Sequence, residues 1–128
     1  MVNVRICEGD SCKMVKIKTD GPVSKESVEP LIADLTSNND IVIFSKSWCP
    51  YCVTAKKLLK PLADKHNASL QEFIIDQQTK DVQAAIQMYL IDVTKQRTVP
   101  QICIKKQWLG GCSDVQALHK QGKLEPML

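Results

Sequence analysis

An unbroken apolar run, Ile41-Val42-Ile43-Phe44, leads within four residues into Cys49-Pro50-Tyr51-Cys52. The run has the length and continuity of a strand buried on both faces of a sheet. After Cys49 the apolar positions Ala55, Leu58, Leu59 and Leu62 recur at helical spacing, with Lys56, Lys57, Lys60 and Lys65 on the other side. The cysteine pair therefore stands where a buried strand turns into an amphipathic helix. The first turn of a helix carries unpaired N–H groups and the positive end of the helix dipole, so a thiolate placed there is stabilised. Cys49 occupies that position, Pro50 follows as a first helical residue with no N–H to waste, and Lys46 adds a positive charge nearby. Cys49 is the candidate nucleophile, and Cys52, one turn inside the helix, is the candidate resolving thiol. A structural zinc site is the competing reading, but one C-x-x-C supplies two of about four ligands. Cys7 and Cys12 stand far away in the wrong pattern to complete it, so no metal is expected.

At 128 residues the chain has the size of one domain. The hydrophobic fraction of 44% and charged fraction of 24% exclude a disordered or fibrous class, and no apolar run approaches a membrane span. The amino end lacks the apolar core of a signal peptide and has valine after Met1, so a reducing, cytoplasmic setting is expected. The six cysteines are too unevenly spaced for a secreted disulfide framework. With a net charge of +3 and lysines spread along the chain, neither nucleic acid nor a membrane is an expected partner, whereas a small anionic ligand suits it.

Residues 2–6 alternate apolar and polar, and Met14-Val15-Lys16-Ile17-Lys18 is a second strand-like run. Either they form a hairpin, with Cys7 and Cys12 facing each other across a Gly/Asp turn at disulfide range, or they remain a loose extension with two bystander thiols. The loose extension is the default expectation, since an isolated hairpin is marginal in water. Thr19 to Pro22 reads as a linker. A helix follows on Val28, Leu31, Ile32 and Leu35, with Ser27 preferred over Ser24 as its cap so that Pro30 falls in the first turn. Pro61, deep in the helix after Cys49, is expected to kink or restart it. Leu70–Ile75 reads as a strand, Thr79 opens a helix with Val82, Ala85, Ile86 and Tyr89 on one stripe, and Gln101–Ile104 and Trp108–Leu109 form a hairpin. Ser113 or Cys112 caps a last short helix that stops at Gly122. The alternation implies an α/β domain with a small mixed sheet covered by helices.

Three separated stretches, Cys49-Pro50-Tyr51-Cys52, Thr98-Val99-Pro100 and Gly110-Gly111-Cys112-Ser113-Asp114, resemble the glutaredoxin family in its dithiol class, over roughly positions 27–124. The glycine-pair stretch and the Pro-Tyr between the cysteines set the chain apart from thioredoxin itself. The resemblance implies a thioredoxin-like fold with a four-stranded mixed sheet over 24–128, preceded by an N-terminal extension over 1–23. It also implies a glutathione site, with glutathione as co-substrate. A cis bond before Pro100 would expose the Val99 backbone for pairing with glutathione. The helix start at Gly111, Cys112 and Ser113 would meet the γ-glutamyl carboxylate, and Asp114 its ammonium. Lys46 and Gln78 would meet the glycine carboxylate, with Tyr51 and Thr98 lining the groove. Cys103 reads as a core residue, Cys112 borders the implied site, and His66 and His119 read as surface residues.

The activity so implied is glutathione-dependent reduction of protein–glutathione mixed disulfides and protein disulfides by a monomer, with the glutathione reductase system as indirect partner. The alternative is a dimer binding an iron–sulfur cluster through Cys49 and glutathione; a stiff Pro50 beside the ligand cysteine argues against it. The chain departs from the family pattern in its amino-terminal extension, in Pro61, and in Lys105-Lys106-Gln107 at the hairpin turn.

Overall fold

The computed structural model describes residues 2–8, 11–19 and 21–128. Its elements run β1 (Val2–Glu8), β2 (Ser11–Ile17), α1 (Lys25–Asn38), β3 (Ile41–Ser45), α2 (Pro50–Lys65), β4 (Leu70–Ile74), α3 (Lys80–Thr94), β5 (Gln101–Ile104), β6 (Gln107–Gly110) and α4 (Cys112–Lys120). Single 3-10 turns lie at Ile75–Gln77 and Glu125–Met127. The sheet order is β4-β3-β5-β6, with β3 parallel to β4 and antiparallel to β5, and β5 antiparallel to β6. Helix α2 makes the parallel pair possible, because it returns the chain to the starting edge between β3 and β4. This is the small mixed four-stranded sheet that the sequence implies.

All five residues of β3 are buried, and alternation along the strand serves both faces. Val42 and Phe44 join α1, α3 and the first hairpin, while Ile41 and Ile43 join α2, α4 and the β5 residues Ile102 and Ile104. Phe44 lies between Phe73 and Trp108 at centroid separations of 5.6 and 5.7 Å. Burying each such side chain is worth roughly 1.5–3 kcal/mol. The catalytic-looking turn thus leaves the best-anchored strand of the sheet. At the other end of the sheet, Lys105 and Lys106 turn β5 into β6 with φ of 46° and 69°. Two lysines there adopt the left-handed backbone that an Asn-Gly turn would adopt more cheaply.

The amino-terminal segment is the main correction to the sequence reading. It is a docked hairpin, not a loose extension: β1 and β2 pair antiparallel from Val2↔Ile17 to Glu8↔Ser11, so the strands run past both cysteines. Cys7 and Cys12 are directly opposed and disulfide-bonded, with 3.9 Å between their Cα atoms. Gly9 and Asp10, the expected turn, lie outside the described residues. The hairpin escapes the instability of an isolated one because its apolar face is covered: Val4, Ile6 and Ile17 are buried with α1 and α3. Its outer backbone is also bound by glutamines. Gln78 accepts from the Arg5 N–H at 2.8 Å and donates to the Arg5 carbonyl at 2.7 Å, and Gln71 donates to the Cys7 carbonyl at 2.9 Å.

Helix ends differ in detail. Ser24 caps α1, and the Ser27 hydroxyl accepts the Ser24 N–H at 3.2 Å, so Pro30 lies in the second turn. Helix α2 also runs unbroken through Pro61. Both prolines stand on exposed helix faces, and the residues whose carbonyls lost their donors, Glu26 and Lys57, are exposed, which leaves those carbonyls open to solvent. Strand β4 ends at Ile74, and Ile75 begins the 3-10 turn. The stripe on α3 closes on buried Leu90, with Tyr89 half-buried beside it. Gly111 caps α4 in place of Ser113 or Cys112, and Gly122 follows its end with φ of +70°.

Candidate active site

The site begins with Cys49 as the N-cap of α2. Its sulfur accepts the Cys52 N–H at 3.3 Å, so one of the orphan donors of the first turn points at the sulfur. The Cys49 N–H is held by the Lys46 carbonyl at 3.2 Å. Cys52 is buried on the inner side of the helix, and burial, reinforced by the Cys49 side chain, pushes its thiol up to about 12. The two sulfurs are thereby made unequal. A helix donor points at the Cys49 sulfur, while Cys52 keeps its proton in neutral solution.

The turn that carries Cys49 is tied to the end of β4. Asp76 accepts from the Ser47 N–H at 2.9 Å and from the Ser47 hydroxyl. Burial works to raise the Asp76 carboxyl, but the two Ser47 donors and the Lys46 charge outweigh it and hold the carboxyl below its ordinary range. Lys46 itself lies over the Trp48 ring, 5.5 Å from the centroid, and Trp48 and Tyr51 project into solvent beside the cysteine.

Opposite Cys49 stands the loop before β5. The Val99–Pro100 bond is cis, and the Cys49 sulfur is 3.6 Å from the Val99 carbonyl. Thr98 is exposed, Val99 half-buried and Pro100 buried. Gln101, fully buried, holds the loop by donating to the Thr98 carbonyl at 2.8 Å and the Gln96 carbonyl at 3.3 Å. The start of α4 abuts the same loop: a Cβ on Gly111 would come within 3.5 Å of the Pro100 carbonyl. Gly110 has φ of +102°, and a Cβ there would collide with the Asp114 carboxylate, so the position calls for glycine. Asp114 accepts the Gly111 N–H at 2.9 Å through one oxygen.

Three of the segments named from sequence therefore converge on Cys49: its own turn with Lys46 and Tyr51, the Thr98-Val99-Pro100 loop, and the helix start with Gly111, Cys112 and Asp114. Cys112 is buried, and its thiol is raised by burial first and then by the nearby Cys49. Ser113 is exposed and borders a separate cavity beside Leu58 and His119. Gln78 does not join the cluster. Its amide is consumed by the Arg5 backbone and the Ile74 carbonyl, which leaves it no free donor for a carboxylate. Cys103 is buried in β5, and burial raises its thiol to about 11. Sequence reasoning missed Ser47, Asp76 and Gln101, which position the site without facing it. Only the polar residue inside the apolar Gln101–Ile104 run hinted at any of them. Among the described residues no cluster of three or more His, Cys, Asp or Glu side chains could hold a metal ion.

The family model described as glutaredoxin matches residues 41–109, from the start of β3 to β6. The chain belongs to the glutaredoxin family. It is 40% identical over 95 residues to a glutaredoxin of Ricinus communis, covering 74% of this chain and 87% of the relative. It is 36% identical over 115 residues to a chloroplastic glutaredoxin-C4 of rice, covering 86% of this chain and 82% of the relative. Among solved structures, a buckwheat glutaredoxin–glutathione complex superposes with a TM-score of 0.73 at 38% identity, over 81% of this chain and 89% of that one. The thioredoxin-like glutaredoxin fold is thus shown for the sheet and its helices.

Proposed function

We propose that Cys49 reduces protein–glutathione mixed disulfides with glutathione as the only co-substrate, and that Cys52 enters only for protein disulfides. As a glutaredoxin, the chain is a glutathione-dependent disulfide oxidoreductase. The single observation that carries the division of labour is the inequality of the two sulfurs at the head of α2. The Cys49 thiolate attacks the glutathione sulfur of the mixed disulfide. The substrate–glutathione bond breaks, the substrate sulfur leaves and takes up a proton, and Cys49 holds glutathione. A second glutathione thiolate then attacks that glutathione sulfur, which yields glutathione disulfide and returns the thiolate to Cys49. On a protein disulfide, Cys49 first joins one substrate sulfur. Its negative charge is then gone and one cause of the raised Cys52 thiol disappears. Cys52 attacks the Cys49 sulfur, its proton goes to the departing substrate thiolate, and the Cys49–Cys52 disulfide that forms is reduced by two glutathiones, which leave as glutathione disulfide.

Glutathione is an extended anion, and the groups gathered around Cys49 suit it. The Val99 backbone offers strand-like pairing, the first turn of α4 offers N–H groups to a carboxylate, and the free Asp114 oxygen offers an acceptor to an ammonium. Lys46 supplies positive charge on the other side. The buckwheat relative, solved with glutathione, supports this assignment. The same reading makes the protein a cytoplasmic monomer, resupplied by the glutathione reductase system, that works on glutathionylated or disulfide-containing proteins rather than on nucleic acid or membrane.

The test is turnover of a glutathionylated peptide with glutathione as sole reductant, on the full chain and on Cys49→Ser and Cys52→Ser. Turnover is expected in wild type and Cys52→Ser and none in Cys49→Ser. Turnover by Cys49→Ser overturns the assignment. An inactive wild type with a visible absorption band after anaerobic purification would transfer the site to cluster binding.

A further inference from the structure

The Cys7–Cys12 disulfide has no part in the chemistry at Cys49, yet it holds the one exposed cysteine among the described residues. Cys12 is exposed and Cys7 half-buried, whereas Cys49, Cys52, Cys103 and Cys112 are all buried. As a staple it would be redundant. It closes a ring with a sequence separation of 5, so it restricts the unfolded chain far less than a long-range cross-link would. The hairpin is anchored without it, by Val4, Ile6 and Ile17 in the core and by the Gln78 and Gln71 amides on the Arg5 and Cys7 backbone. Opening the bond would leave these contacts in place.

The two sulfurs also differ in surroundings. Cys12 borders a cavity of about 180 Å³ together with Lys13 and Gln71. Cys7, directly opposite it, borders a groove on the other side of Gln71 that holds Lys56 paired with Glu72. An incoming anionic thiol therefore meets the exposed Cys12 first, and the half-buried Cys7 is the sulfur it displaces. We propose that Cys7–Cys12 is a second thiol–disulfide exchange site of this chain, entered by glutathione at Cys12 and resolved by Cys7.

The exchange balances within the glutathione pool. A glutathione thiolate attacks the Cys12 sulfur; the Cys7–Cys12 bond breaks, a Cys12–glutathione disulfide forms, and Cys7 leaves as a thiolate that takes up a proton. A second glutathione attacks the glutathione sulfur on Cys12, which gives glutathione disulfide and two protein thiols. In the reverse direction glutathione disulfide glutathionylates Cys12, and Cys7 expels the glutathione as it closes the bond. The hairpin would so report the ratio of reduced to oxidised glutathione while the fold around it stays intact.

The experiment equilibrates the full chain in buffers of graded glutathione to glutathione disulfide ratio. Samples are quenched in acid and alkylated, the peptides carrying Cys7 and Cys12 are read by mass spectrometry, and hydrogen exchange of the Arg5 amide is followed in parallel. The pair is expected to pass from disulfide to dithiol across the series with Arg5 protection retained. Cys7→Ser should accumulate the glutathione adduct on Cys12 at least about tenfold more than Cys12→Ser accumulates it on Cys7. A bond that opens only when the fold is denatured overturns the proposal, as does loss of Arg5 protection on reduction, or an adduct formed equally on either sulfur. The series is repeated on Cys49→Ser, where the same equilibrium is expected. Failure there is thereby separate from failure of the glutathione-dependent turnover assigned to Cys49.

Discussion

The two cysteine pairs of this chain occupy opposite settings, and the contrast shows what makes a cysteine pair an enzyme centre. Cys49 and Cys52 are three residues apart on one helix end; the first receives a helix donor and the second is buried under it. Cys7 and Cys12 face each other across a strand pair, where no helix end distinguishes them. In the first setting one sulfur is prepared to attack and the other to wait. In the second, only exposure separates the partners. A helix terminus builds asymmetry into a pair through its donors, and a hairpin only through exposure.

The sharpest way to break this comparison is to remove one sulfur from each pair. Cys49→Ser is expected to abolish turnover of a glutathionylated peptide, and Cys12→Ser to leave it at the wild-type level. Equal losses in the two variants would show that the hairpin pair carries electrons to the helix pair. The next effect is on reactivity. With its thiol pushed up to about 12 from an ordinary 9.0, Cys52 has roughly a thousandfold less thiolate than an unburied cysteine at neutral pH. Iodoacetamide labelling of the reduced chain should leave Cys52 unmodified through the neutral range and show its rate still climbing in strong alkali. A plateau in Cys52 labelling near neutrality would remove the asymmetry.

A third variant asks which region Gln78 serves. Gln78→Ala strips the Arg5 N–H and carbonyl of their partners and should cost about 2–4 kcal/mol in denaturant unfolding. The Michaelis constant for glutathione should stay unchanged. A raised constant with unaltered stability would return Gln78 to the glutathione site.

Gln78 also marks the limit of what was legible in the sequence. Everything around Cys49 depends on local pattern. The apolar run of β3, the helical period after Cys49, the proline at the helix start and the glycine pair before α4 each betray their backbone within a few residues. The partner of Gln78 lies 73 residues away, and no periodicity encodes such a pairing. The hairpin shows the same limit. Its alternation was visible in Val2, Val4 and Ile6, but the α1 and α3 surface that buries this face was not, so the segment read as loose. Pro30 was misplaced, and Pro61 fails to restart its helix, for a related reason. A proline is tolerated inside a helix when the carbonyl it orphans faces water, and which side faces water depends on the tertiary fold.

The smallest expected effect concerns the tether between the two ends of the active-site turn, Ser47 to Asp76. The Asp76 carboxyl is held below its ordinary range, so its contribution is fully present above the unfolded value of 3.8 and is lost as pH falls through the lower folded value. Because the carboxylate is only partly covered, solvent screening limits the tether to about 1 kcal/mol or less. Asp76→Asn keeps an acceptor for one Ser47 donor and loses the charge. Its stability should fall short of wild type by that amount at neutral pH, and the gap should close as the medium is acidified below the folded value. Turnover should decline only slightly at neutral pH, since Asp76 acts through Ser47 and never meets the reacting sulfurs. A gap that persists unchanged in acid would mean that Asp76 acts through packing rather than charge. The Cys49 turn would then resemble the hairpin, held by shape, instead of standing apart from it.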